Sequence, residues 1–177
     1  MHIIIDGCDG CGKSTLVDKL VKEYNLDKVI MTKEGWKEKS SYIQKSSLDN
    51  VVSDRSFISE YVYSNVYKRQ SKITDTVFDD LVSLYTISTN PWLIIVLNAS
   101  VDTILERVNK RGIDEESKAE VEKKVERYEK TGMLLQKLAR KYVLYLDTTD
   151  LSEIDVFNKV KEFIDKKKSL YRPVMWA

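Results

Sequence analysis

Gly7, Cys8, Asp9, Gly10, Cys11, Gly12, Lys13 and Ser14 carry the spacing G-x-x-x-x-G-K-S/T, directly after an isoleucine-rich run and directly before an amphipathic pattern. That spacing does chemistry when it links a strand to a helix. The glycines let the chain wrap with its N–H groups pointing inward, and the following helix adds its N-terminal dipole, so the segment cages a polyphosphate. Lys13 would neutralise the β and γ oxygens, and Ser14 offers a hydroxyl to Mg²⁺, a hard cation that takes oxygen ligands. Further along, Asp54 and Arg55 follow a third apolar run and pair a carboxylate with a guanidinium.

These groups need elements that bring them together. Five short apolar stretches, at residues 2–5, 28–31, 50–53, 93–97 and 142–146, alternate with helical patterns. This is the signature of an α/β fold, a parallel sheet with helices on both faces. All but the second stretch read as buried. Leu16, Val17, Leu20, Val21 and Tyr24 share one face of a first helix, and Val77, Phe78, Leu81, Val82 and Tyr85 share one face of a later helix, which Pro91 closes. Val156, Val160, Phe163 and Ile164 put a last helix against the sheet, and Ser100 and Ser152 stand at N-cap positions. Ligands of such sheets bind beyond the carboxyl ends of the strands, so the glycine loop and Asp54-Arg55 should face one cleft. Two segments are less regular. Residues 33–48 are polar, with Trp36 and Tyr42 among lysines and serines, and residues 110–118 read as a charged flap between two helices.

The chain has 177 residues, 42% hydrophobic and 32% charged, which fits one globular domain and excludes collagen-like and disordered readings. Lys and Arg number 29 against 28 Asp and Glu, so no net field draws the chain to nucleic acid or to a membrane, and neither partner is expected. The apolar runs fall far short of the roughly 20 residues that cross a bilayer. With no secretory signal to read, the expected compartment is cytoplasmic. Cys8 and Cys11 are too few for a disulfide framework, and with the lone His2 they make no complete zinc set. A disulfide between them would disturb the phosphate cage, so oxidation is expected to inhibit.

A guanine-reading Asn-Lys-x-Asp is missing, because Asn109-Lys110-Arg111-Gly112 lacks the carboxylate. The run from Asp6 to Thr15 resembles instead the E-G-x-D/E-G-x-G-K-S/T-T loop of thymidylate kinases. Thr32-Lys33-Glu34-Gly35 resembles that family's T-R-E-P, Asp54-Arg55-Ser56-Phe57-Ile58-Ser59 its D-R-Y/F-x-x-S, and the stretch from Arg107 to Glu115 its arginine-bearing lid. Asp54-Arg55-Ser56 also resembles the E-R-S of deoxynucleoside kinases.

The resemblance implies a three-layer P-loop kinase fold over residues 1–177, a five-stranded parallel sheet of order 2-3-1-4-5, and a lid near 107–118. It implies ATP with Mg²⁺ as donor and a deoxynucleoside monophosphate, dTMP or a related pyrimidine, as acceptor. ATP would be held by Gly7, Asp9, Gly10, Cys11, Gly12, Lys13, Ser14 and Thr15, and the metal by Ser14 and Asp54. On the acceptor side Asp9 would take the 3′-hydroxyl, Arg55 the phosphate, and Tyr63 would crowd the sugar 2′ position, with Lys33, Glu34, Trp36 and Ser59 nearby. Lys13, Asp54, Arg55, Arg107 and Arg111 form the implied catalytic set, and the family's homodimer is implied too. The segment from Gly35 to Ser53 is shorter than the family's base-reading segment, which leaves the base open. Asn98 receives no metal role. The competing readings are a deoxynucleoside kinase, a kinase of a modified base hydroxyl in DNA, and a non-enzymatic nucleotide-binding module.

Overall fold

Three consecutive isoleucines, Ile3 to Ile5, make a strand with no polar face, and such a strand is stable only when it is covered on both sides. In the computed structural model, which describes residues 1–31, 39–87, 91–112 and 117–168 and no side chains at 39 and 40, that strand is central. It is β1 (His2–Gly7), buried throughout and hydrogen-bonded to β3 (Val51–Asp54) on one side and β4 (Leu93–Asn98) on the other. The strands β2 (Asp27–Ile30) and β5 (Val143–Asp147) complete a sheet of order β2-β3-β1-β4-β5, with all four pairings parallel. This is the order that the resemblance implies. Burying each central isoleucine contributes about 2 kcal/mol.

Each expected strand is present within one or two residues, and β2 is the exposed edge. The fifth strand corrects the sequence reading: only Val143 of β5 is buried. It forms the opposite edge, with β4 as its sole sheet neighbour among the described residues, so its apolar residues are only partly covered.

The helices are α1 (Lys13–Tyr24), α2 (Lys39–Ser46), α3 (Phe57–Val66), α4 (Asp75–Ile87), α5 (Val101–Asn109), α6 (Lys118–Ala139) and α7 (Glu153–Asp165). α1 packs with α7, whereas α2, α3, α4 and α6 pack among themselves, so helices flank the sheet. Leu16, Val17, Leu20, Phe78, Leu81, Val82, Tyr85, Val156, Val160 and Ile164 are buried as their spacing requires. Val21, Tyr24, Val77 and Phe163 are partly buried against them. Ser100 and Ser152 cap α5 and α7, and Ser117 caps α6 in a reciprocal box with Glu120. α4 runs to Ile87, and residues 88–90, where the expected stop before Pro91 falls, lie outside the described residues. Within residues 33–48, which read as irregular, 39–46 form α2, whose Tyr42 is a core residue edge-on to Phe57 at 6.1 Å, and 33–38 lie outside the described residues. Among the described residues no helix is long and apolar enough to cross a membrane.

Ile5 lies level with Asp54, and Gly7 level with Leu97. The register therefore delivers the glycine loop and Asp54-Arg55 to the same edge of the sheet.

Candidate active site

The loop from β1 to α1 depends on glycine at two kinds of position. A Cβ on Gly7 would stand 2.1 Å from the Leu97 carbonyl oxygen, so the close approach of β1 to β4 allows no side chain there. Gly12, the N-cap of α1, has φ 92, the left-handed turn that aims the helix N-terminus into the loop. Lys13 donates from Nζ to the Cys8 carbonyl at 2.7 Å and lies 3.5 Å from the Asp9 carboxylate. Cys11 donates from Sγ to the same carbonyl at 2.7 Å. Burial, then the neighbouring Cys11, pushes the Cys8 thiol up to about 12, and burial raises Cys11 as well. Both thiols are free, buried and held protonated, which withholds the thiolate that oxidation inside the loop needs.

Ser14 donates from Oγ to Asp54 at 2.9 Å. A hydroxyl and a carboxylate in contact are hard oxygen donors, and they fit Mg²⁺, which takes few protein ligands and keeps several waters.

Arg55 follows β3 with φ 73, an uncommon backbone conformation for a residue with a side chain. It is held there by its N–H, which donates to Ile5 at 2.9 Å, and by its carbonyl, which accepts from Ser53 Oγ at 2.7 Å. The bend turns the guanidinium toward the glycine loop. Its Nη2 donates to Asp9 Oδ1, and its Nη1 lies 3.4 Å from the Tyr63 hydroxyl, which itself donates to Asp9 Oδ2 at 2.7 Å. Burial alone would raise the Asp9 carboxyl, but Lys13, Arg55 and the bonds from Tyr63 and Arg55 outweigh it and hold the group well below the usual carboxylate range. Burial, then Asp9, lifts the Tyr63 phenol well above its ordinary value, so it stays a donor.

Behind this cluster Asp6 is fully buried. It accepts from Gly7 N–H at 2.8 Å, Ser56 Oγ at 2.8 Å, Ser59 N–H at 3.2 Å, Ser59 Oγ at 2.7 Å and Tyr128 OH at 3.0 Å. One carboxylate thus ties the end of β1 to the start of α3 and to α6. Ser59, expected at the acceptor side, points into this network.

Among the described residues, two pockets adjoin the loop. The inner one, about 140 Å³, is lined by Asp9, Lys13, Ser14, Asp54, Arg55 and Arg111, and Gly10 and Gly12 border it. The outer one, about 250 Å³, is lined by Gly10, Cys11, Gly12, Thr15, Arg107, Arg111 and Thr148. Arg111 lines both. Arg107 belongs to α5 and donates from Nη1 to Thr148 Oγ1 at 3.1 Å and from Nη2 to the Thr148 carbonyl at 2.9 Å, so it walls the outer pocket. Lys33, Glu34 and Trp36 lie outside the described residues, as do residues 113–116 of the expected lid.

Sequence reasoning missed the roles of Asp6, Tyr128 and Thr148. Asp6 left a signal, a carboxylate ending a strand that is otherwise isoleucine. Tyr128 and Thr148 left none, because Tyr128 reaches the site only through the packing of α6 on α3, and Thr148 only through the sheet order.

The sheet order, the phosphate loop and the carboxyl-edge cleft give the chain the fold of the P-loop kinases. Within that fold the chain is similar to the thymidylate kinases. No protein-family model matches the chain. A curated relative, "Probable thymidylate kinase" of Methanococcus maripaludis, is 27% identical over 93% of this chain and 95% of its own length. The YorR protein of Bacillus subtilis, solved in complex with phosphorylated GDP, superposes with a TM-score of 0.79 at 21% identity, covering 97% of this chain and 99% of that one. Thymidylate kinase from Candida albicans has a TM-score of 0.66 at 17% identity over 96% and 92% of the two chains. Deoxyadenosine kinase from M. mycoides, with bound dCTP, has 0.65 at 17% over 94% and 100%.

Proposed function

We propose that the chain moves the γ-phosphoryl group of ATP onto a deoxynucleoside monophosphate, with dTMP or a related pyrimidine nucleotide as the leading acceptor. The observation that carries this reading is Arg55, turned by its left-handed backbone to meet Asp9 of the phosphate loop. A cation so placed receives an anionic acceptor at the point where the donor's terminal phosphate ends.

In this reading the loop amides and Lys13 hold the donor triphosphate, while Thr15, Arg107 and Thr148 border its nucleoside end. Asp9 accepts the acceptor's 3′-hydroxyl, Arg55 clamps its phosphate, and Tyr63 stands at the sugar. Ser14 and Asp54 would hold Mg²⁺, which when bound neutralises charge on the transferring group. A monophosphate, with a second pKa near about 6, is already largely an anion at neutral pH and needs a clamp more than a base. Asp54 is engaged by the Ser14 hydroxyl, which suits the metal side rather than proton abstraction from an acceptor. Arg111, which lines both pockets, lies on the transfer line. Catalysis is then alignment and charge stabilisation.

A deoxynucleoside acceptor is the second reading, favoured by Ser56 after Asp54-Arg55 and by the likeness to the M. mycoides enzyme. ATP consumption measured across deoxynucleoside monophosphates, free deoxynucleosides and modified DNA separates the readings. Turnover with nucleosides and none with monophosphates would reverse them.

The homodimer belongs to the same proposal. Exposed Ile87 (79%) and Leu138 (49%) share one groove, with Leu84 and Leu134 one turn back on the same helices, which supports a covered face on α4 and α6. Sedimentation of the full chain is expected to give twice the monomer mass, and Leu138→Glu to halve it.

A further inference from the structure

α6 buries a lysine. Lys124 is 1% exposed, and its Nζ lies 5.3 Å from the centre of the Tyr63 ring and 5.6 Å from that of Tyr67. The two rings stand parallel, 6.1 Å apart and 6° from coplanar. Tyr63 also meets Tyr128 edge-on at 6.2 Å, and the Arg55 guanidinium lies 5.7 Å from its centre. The Tyr63 ring is thus gripped from α6 while its hydroxyl bridges to Asp9.

Withdrawing an ammonium from water is costly, and a leucine or methionine would fill the same space without that cost. Tyrosine faces return part of it, because the ring quadrupole attracts the cation more strongly once water is excluded. The attraction also draws electron density from the ring, which makes the Tyr63 hydroxyl a better donor to Asp9. The ring it grips lies beside Arg55, and its hydroxyl reaches Asp9 of the phosphate loop.

We propose that Lys124 is a positioning residue that sets the sugar specificity of the acceptor site by fixing the Tyr63 ring beside the 2′ carbon. The inference rests on the reading that a nucleotide acceptor lies against Asp9, Arg55 and Tyr63. Lys124 itself touches no reacting atom.

The test uses the full chain and pairs of deoxyribo- and ribonucleoside monophosphates that share a base. In Lys124→Met the ratio of kcat/KM for the deoxy over the ribo acceptor is expected to fall roughly 30-fold, the size of one desolvated ammonium–ring contact, with KM for ATP unchanged. Lys124→Arg restores a cation over the ring and should recover most of the ratio. Tyr67→Leu opens the exposed side of the cage and should lower the ratio in the same direction. A folded Lys124→Met protein with an undiminished ratio overturns the proposal, and so does an equal loss for both sugars. Should Lys124→Met fail to fold, Tyr67→Leu decides, and an unaltered ratio there overturns it. Absence of monophosphate turnover in the unaltered protein overturns the functional reading itself, a result visible before any variant is made.

Discussion

Arg55 is the side chain on which the acceptor assignment turns, and its surroundings predict how its loss would be felt. Arg55→Ala removes a charge-assisted contact of about 1.5–3 kcal/mol, so kcat/KM for the acceptor should fall roughly 10- to 100-fold while KM for ATP stays near its starting value. Steady-state kinetics with both substrates varied read this directly, and equal losses in ATP hydrolysis and transfer would count against the role. Lys13→Ala should abolish turnover and leave the thermal midpoint little changed, since Lys13 hydrogen-bonds within its own loop. The two residues were legible for different reasons. Lys13 announces itself through glycine spacing, whereas Arg55 needed the family resemblance, because nothing local says that a strand end will adopt φ 73. Asp6 was legible as an anomaly, although its five donors come from β1, α3 and α6 and only the fold assembles them.

At the level of elements, β1 and β4 meet so closely at Gly7 that the loop's position is set by the sheet rather than by the loop. Gly7→Ala places a Cβ against backbone that cannot move without shifting β4, and φ 144 adds strain. It should cost more than about 3 kcal/mol, beyond the usual range for one strained residue. Gly12→Ala meets open space and carries only the left-handed conformation, at roughly 1–2 kcal/mol. Thermal unfolding of the two variants should rank them in that order, and equal losses would mean that the approach of the strands is not the constraint. The same physics explains which elements the sequence revealed. A run of isoleucines has one stable place, the centre of a parallel sheet, so β1 and β4 were plain. β5 carries an apolar run as well, and its edge position depends on strand order, which hydropathy does not encode. α2 was hidden because eight residues rich in Lys and Ser form a helix around a single core anchor, Tyr42.

For the molecule as a whole, a formal net charge of +1 leaves little collective field, so the pH dependence of folding should come from a few buried groups. His2 is the clearest. It begins β1 at the end of the sheet away from the cleft, is 4% exposed, and stacks on Trp92 at 5.1 Å. Burial, then the nearby amino terminus, lowers its pKa to about 4 from the ordinary 6.5, against a smaller upward pull from Asp49. The folded chain therefore resists a proton that the unfolded chain accepts. Stability is complete above about pH 6.5 and is lost as pH falls toward about 4, by at most roughly 3 kcal/mol. Asp9 loses its contribution only below its ordinary value of 3.8, so the two windows separate. His2→Phe keeps a ring on Trp92 and removes the titration. Its thermal midpoint should fall less steeply than that of the unaltered chain between about pH 6.5 and 4. Parallel curves would show that the proton binds elsewhere, and because His2 lies at the far end of β1, the pH profile of turnover at full folding should be the same in both.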